Sequence, residues 1–189
     1  MLTIDGVYEN LLEINKSKFY SFAYPVSSEE ECKGILQEFR KKYKDATHIC
    51  FAYILSSPSI ERASDDGEPQ GTAGRPILEV LKKKGLTNII VLVIRYFGGI
   101  KLGAGGLIRA YTDGCKEVVD KCNIIELIHK HTYKVILNYD EYSKFLSRAK
   151  TLGITIKDTN FENGVEVVIE SEKSLDELNA LGYGEFVCQ

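Results

Sequence analysis

Between Arg62 and Gly114 the chain gathers ten of its sixteen glycines and four of its six arginines. Side-chain packing alone has little use for so many residues without a Cβ. A backbone that must turn sharply, or come close to something, does. Two glycine-rich segments lie in this stretch. The first, Ser64 to Pro76, reads S-D-D-G-E-P-Q-G-T-A-G-R-P, and the second, Gly98 to Gly106, reads G-G-I-K-L-G-A-G-G. Each leads into a helical pattern. The second is fed by Asn88 to Tyr96, a nearly continuous apolar run, which is the signature of a strand covered on both faces.

Patterns on either side fill in the frame. Val7 to Ile14 and Lys18 to Val26 predict two strands joined by a turn at Asn15-Lys16. Ser27 and Ser28 precede Glu29, Glu30 and Glu31, a cap followed by an acidic first turn. With Ile35, Leu36 and Phe39 at helical spacing and basic residues from Arg40 to Lys44, they predict a helix over 28–43. Thr47 to Leu55 predicts a strand with His48 and Cys50 on one face and Ile49 and Phe51 on the other. Ile60 to Ser64 reads as a short returning strand. Pro76 and Gly85 bracket a helix over 75–84. Leu107, Ala110, Tyr111, Cys115, Val118 and Val119 give a second helix over 107–122, and Ile124 to Leu127 closes the unit.

The texture changes near His131. Tyr133–Tyr139, Glu141–Leu152, Ile154–Thr159 and Val165–Glu170 read strand, helix, strand, strand, with Asn163-Gly164 as a hairpin signal. Leu175 to Leu181 follows as a short helix, with room for one last strand at Phe186 to Cys188. That order opens a split βαβ unit. Two domains are expected, 1–130 and 131–189.

Charge and cysteine content narrow the function classes. The net charge of −3 is uneven: residues 157–189 carry two lysines against eight acidic residues, and the remainder balances to +3. A protein-wide basic surface for nucleic acid is excluded, while a local patch stays open. No apolar run approaches the roughly 20 residues needed to span a bilayer, so no membrane association is expected. With no secretory signal, the five cysteines are expected to be reduced thiols in a cytoplasmic protein.

In the first glycine segment, Asp65, Asp66 and Glu68 place three carboxylates within four residues. Such a cluster can hold Mg²⁺ while a phosphate completes the shell, or accept hydrogen bonds from a partner's arginine. It is equally the composition of a tight turn at Asp66-Gly67. In the second, Gly98, Gly99, Gly103, Gly105 and Gly106 connect a strand to a helix, so amides and the helix dipole can face an anion, with Lys101 and Arg109 beside them. The spacing is neither a Walker A loop nor a dinucleotide fingerprint, and helix-on-sheet packing also calls for glycine. Arg75, Arg95 and Arg109, with Tyr96, Phe97 and Tyr111, suit phosphate contact with base stacking, a protein–protein hot spot, or a core in which the arginines pair with Asp65, Asp66 and Glu68. His48, Cys50, His129 and His131 would need adjacent strands to form a zinc site, at spacings not characteristic of one.

Three strings in order, A-T-H-I-C-F-A-Y (Ala46–Tyr53), S-D-D-G-E-P-Q-G-T-A-G-R-P-I-L (Ser64–Leu78) and R-Y-F-G-G-I-K-L-G-A-G-G-L-I-R-A-Y (Arg95–Tyr111), resemble the IMPACT family. The resemblance covers roughly residues 1–126, and the remainder resembles the small second domain of YigZ-type bacterial members. It implies a mixed α/β chain of two-layer α+β character: an N-terminal domain like ribosomal protein S5 domain 2, then a ferredoxin-like βαββα(β) domain. Eukaryotic relatives carry an extra RWD domain and restrain an initiation-factor kinase by competing for its ribosome-associated activator. No segment here corresponds to that domain, so only a link to translation or its regulation carries over. The resemblance assigns no catalytic residue.

The expectation is a binding or regulatory protein that contacts the ribosome, RNA or a translation-associated protein. Its contact surface comprises Arg75, Arg95, Tyr96, Gly98, Gly99, Lys101, Gly103, Gly105, Gly106 and Arg109, and no cofactor is needed. The alternative is a Mg²⁺-assisted hydrolase or phosphoryl-transfer enzyme using Asp65, Asp66 and Glu68 with His48 as general base.

Overall fold

The apolar run becomes the strand on which the first half of the chain is assembled. The computed structural model describes residues 1–127, 130–162 and 164–188. It divides into two units, Met1–Leu127 and Ile128–Gln189. In chain order the first contains β1 (Leu2–Ile4), β2 (Tyr8–Ile14), β3 (Ser17–Pro25), α1 (Glu29–Lys42), β4 (His48–Ser56), β5 (Ser59–Ser64), α2 (Gly74–Lys83), β6 (Ile89–Tyr96), α3 (Gly103–Lys121) and β7 (Ile124–Glu126).

Five of these strands form one sheet in the order β2-β3-β6-β4-β5, every neighbouring pair antiparallel. Central β6 is buried from Ile89 to Arg95. Because side chains alternate along a strand, Ile89, Val91 and Val93 pack with Ile77 and Leu81 of α2 and Leu107, Ala110 and Tyr111 of α3. Ile90, Leu92 and Ile94 pack on the other face, against Cys32 and Phe39 of α1. Helices therefore cover both faces, which adds a third layer to the two expected and explains why β6 has no polar side.

Local signals set the ends of these elements. Asn15 and Lys16 both have positive φ, 47° and 64°, so the two-residue turn is of the kind that matches strand twist. Ser28 caps α1 by accepting from the Glu31 amide, with Glu29–Glu31 in the first turn and Arg40–Lys42 in the last. One boundary differs from expectation: α3 begins at Gly103, a full turn before Leu107. The added turn is glycine-rich and largely exposed, so it carries no apolar periodicity to announce it. β1 and β7 pair antiparallel, Leu2 opposite Glu126 and Ile4 opposite Ile124.

The second unit contains β8 (His131–Leu137), α4 (Tyr139–Ala149), β9 (Ile154–Asn160), β10 (Val165–Ser171), α5 (Leu175–Asn179) and β11 (Phe186–Cys188). Its antiparallel sheet runs β11-β8-β10-β9. Phe145 and Ala149 of α4 and Leu178 of α5 share one core with Val135, Val167, Ile169 and Phe186. This is the ferredoxin-like order in two layers, with short forms of the last helix and strand present. Asn138–Glu141 and Ser174–Glu177 are capping boxes at α4 and α5. Of the hairpin dipeptide, Gly164 has φ 101° while Asn163 lies outside the described residues. His129 also lies outside them, so the four-residue zinc set is not described as a whole.

Removing one β6 side chain tests this arrangement. Leu92→Ala should cost about 2–5 kcal/mol in chemical denaturation, whereas Ile124→Ala on exposed β7 should stay within about 0.5 kcal/mol.

Candidate functional site

The three neighbouring carboxylates of the first glycine segment point to three different places. Asp65 turns back into its own loop: Oδ2 accepts from the Gly71 amide at 2.8 Å, and Oδ1 from Ala73 and Gly74 at 2.9 and 2.8 Å. It thereby does for α2 what a cap residue would, since Ala73 at the cap position offers no side-chain acceptor. Partial burial works against the ionised form, but the Gly71, Gly74 and Ala73 amides outweigh it and hold the carboxyl below the usual carboxylate range. Asp66, at φ 42°, sends Oδ2 to the Ile49 amide at 2.7 Å. This orientation ties the loop to β4.

Glu68 goes inward. Its side chain is 3% exposed, and Oε1 accepts both from Arg95 Nη1 at 2.6 Å and from the Tyr111 hydroxyl at 2.8 Å. Loop, central strand and α3 are thus joined at one oxygen. The Arg95 guanidinium lies 5.5 Å from the Phe19 ring centre and 5.4 Å from that of Phe97. Tyr111 meets Phe19 edge to face at 5.3 Å. Cys50 Sγ lies 2.9 Å from the Asp65 carbonyl oxygen and 3.4 Å from the Tyr111 hydroxyl. Burial pushes both the Cys50 thiol and the Tyr111 hydroxyl well above their ordinary pKa, so both stay protonated.

His48 sits at the lip of this network. Its Nδ1 is 2.8 Å from the Asp66 carbonyl oxygen, which can only accept, so Nδ1 carries a proton. Nε2 lies 3.7 Å from Glu68 Oε2. The carboxylates do not converge as the Mg²⁺ alternative requires, because each has its own partners. Among the described residues no three His, Cys, Asp or Glu side chains come together as metal ligands would.

The second glycine segment has two halves with opposite jobs. Gly98 is a contact point: a Cβ there would lie 2.0 Å from the Lys16 carbonyl carbon, so the β2–β3 turn rests directly on it. Gly103, Gly105 and Gly106 belong to the first turn of α3 rather than to a loop. Gly105 has ordinary helical φ and open space where a side chain would be. Leu102 at the cap position supplies no acceptor, and the first turn holds no acidic residue. The positive end of the α3 dipole therefore gets neither a side-chain cap nor an acidic residue from its own first turn.

The two segments meet across one cleft of about 320 Å³. His48, Glu68 and Pro69 line one side, and Phe97, Lys101, Leu102 and Gly103 the other, with Arg95 between them. Arg95 Nε is buried and has no hydrogen-bond partner among the described residues. Of the predicted cations only Arg95 and Lys101 line this cleft. Arg75 lines a separate groove between α2 and α3, and Arg109 lines neither, its Nε donating to the Gly105 carbonyl at 3.3 Å. Tyr96 points away, its hydroxyl 3.1 Å from Asp45 Oδ1. Thr47 and Pro69 line the cleft without having been singled out. Thr47 Oγ1 accepts from the Phe97 amide at 3.0 Å, and nothing in its sequence context beyond the A-T-H string marks it.

Two stability experiments probe these ties. Asp65→Ala should cost about 2–4 kcal/mol at neutral pH, since three amides lose a charged acceptor. Because the folded carboxyl titrates below its unfolded value, this contribution is present above the ordinary carboxylate pKa and fades as pH falls through the depressed one, so the wild-type and variant denaturation curves should converge in acid. Glu68→Ala should cost about 3–5 kcal/mol by leaving a buried guanidinium unpaired, and Glu68→Leu with Arg95→Met should recover much of that loss.

The Impact N-terminal domain family model matches residues 15–119. The chain is 38% identical over 165 residues to the IMPACT family member YvyE of Bacillus subtilis, spanning 87% of this chain and 76% of that protein. It is 39% identical over 110 residues to the IMPACT family member YigZ of Escherichia coli, spanning 57% and 54% respectively. A crystal structure of a hypothetical protein superposes with a TM-score of 0.73 at 26% identity, over 98% of this chain and 94% of that one. The three sequence strings thus meet in one cleft of a chain that belongs to the IMPACT family.

Proposed function

We propose that this protein is a regulatory binding protein of the translation apparatus, and that its cleft takes a phosphate group of RNA on or near the ribosome. Family membership supplies the context. The observation that supports the ligand class is a single cavity bounded by an uncapped helix N-terminus, by Lys101 and by a buried arginine with an unused donor. The helix N-terminus and Lys101 favour negative charge, while the Arg95 charge is already met by Glu68 in the same lining and adds a donor rather than a free cation. The open space at Gly105 fits the same purpose. Glycine weakens a helix there, and no packing contact within 4 Å gives a structural reason for it.

Salt and substitution test the proposal. Affinity for ribosomes or a structured RNA should fall steeply as salt rises. Lys101→Ala should weaken it and lower the salt slope by about one, with no change in melting temperature. Gly105→Ala should raise stability by up to about 1 kcal/mol while weakening RNA association, a combination a purely structural glycine cannot give. Arg75→Ala and Arg109→Ala, outside the cleft, should have smaller effects than Lys101→Ala. Association that ignores salt and all four substitutions would overturn the reading.

A further inference from the structure

A second concavity, independent of the cleft, runs between α2 and α3 and encloses about 630 Å³. Its walls follow from helical spacing. Pro76 and Val80 from α2, and Ile108 from α3, make an aliphatic floor, with Ile108 left 42% exposed. Arg75 and Lys83 rise on one wall and Lys116 on the other, at four-residue or eight-residue separations that keep them on the groove side of their helices. Lys84 also lines it but is committed to Asp120 at 2.7 Å. Among the described residues Arg75, Lys83 and Lys116 have no ion-pair partner within 4.0 Å.

We infer that this groove binds an acidic amphipathic helix of a protein partner. The argument is charge complementarity over an apolar floor. In a chain of net charge −3, one trough concentrates unpaired cations on both rims and aliphatic carbons between them. From Ile108 to Lys116 it is about 12 Å long at 1.5 Å per residue, the length of two helical turns. A helix laid there places leucine-type side chains on Val80 and Ile108, and its flanking carboxylates against Arg75, Lys83 and Lys116. Nucleic acid fits less well. Among the described residues no aromatic ring lines the groove to stack a base.

The test is a titration of the isotope-labelled full chain with a synthetic three-turn peptide carrying leucines on one face and glutamates flanking them, followed by amide NMR shifts. The expected result is saturable movement centred on Val80 and Thr112. Lys83→Glu with Lys116→Glu should weaken binding at least about tenfold, as should Ile108→Asp, with melting unchanged because all three sites are on the surface. Lys101→Ala should leave peptide affinity intact, so failure here and failure of the phosphate cleft are seen separately. The inference is overturned if the peptide causes no saturable shift at millimolar concentration, or if the charge-reversed variant binds it equally well. It is also overturned if a single-stranded RNA oligomer competes for the same amides. Concentration-dependent self-association of the chain that Ile108→Asp abolishes would assign the groove to a second copy instead.

Discussion

One buried oxygen, Glu68 Oε1, holds the geometry of the cleft. The loop that carries it, the central strand that carries Arg95 and the helix that carries Tyr111 meet at this one atom. A buried ion pair is a poor source of net stability, because both charges lose their water. Its value is positional: shifting the loop by one residue would strand a guanidinium between Phe19 and Phe97 with no anion. Asp65 acts in parallel, fixing the far end of the same loop to the start of α2. The first glycine segment is thus held at both ends by carboxylates, and its glycines serve the bends between.

That use of the carboxylates bears on the chemistry available. A catalytic nucleophile needs a pKa brought down toward neutrality, and a metal site needs oxygens with free lone pairs converging on a point. Here burial drives the Cys50 thiol and the Tyr111 hydroxyl the other way, and the acidic side chains are occupied by amides, an arginine and a tyrosine. Beside them the cleft is lined by Lys101 and the first residues of α3, with His48 at its lip.

Much of the frame was legible in sequence because periodicity reports burial directly. The apolar run at 89–95, the turn at Asn15-Lys16 and the cap at Ser28 each follow from local chemistry and stand where the patterns put them. The site was legible only as a list of residues. Asp65, Asp66 and Glu68 are nearly equivalent on paper, and it is the turn through Asp66 and Gly67, both at positive φ, that sends them apart. Glycines mislead for a related reason: Gly98 is pressed against a neighbouring turn while Gly105 faces open space, and composition cannot separate them. Proximity in sequence groups the arginines. Helix geometry then distributed Arg75 and Arg109 to other surfaces, since residues a few positions apart on a helix look in different directions.

The small ladder between β1 and β7 has a consequence for how such a body can be combined with others. Its first and last strands lie side by side, Leu2 across from Glu126. Entry and exit of the polypeptide therefore coincide at one edge, like the two wires of a plug. A body wired in this way can be appended to different neighbours, or spliced into a loop of a host, without rethreading any strand of the main sheet.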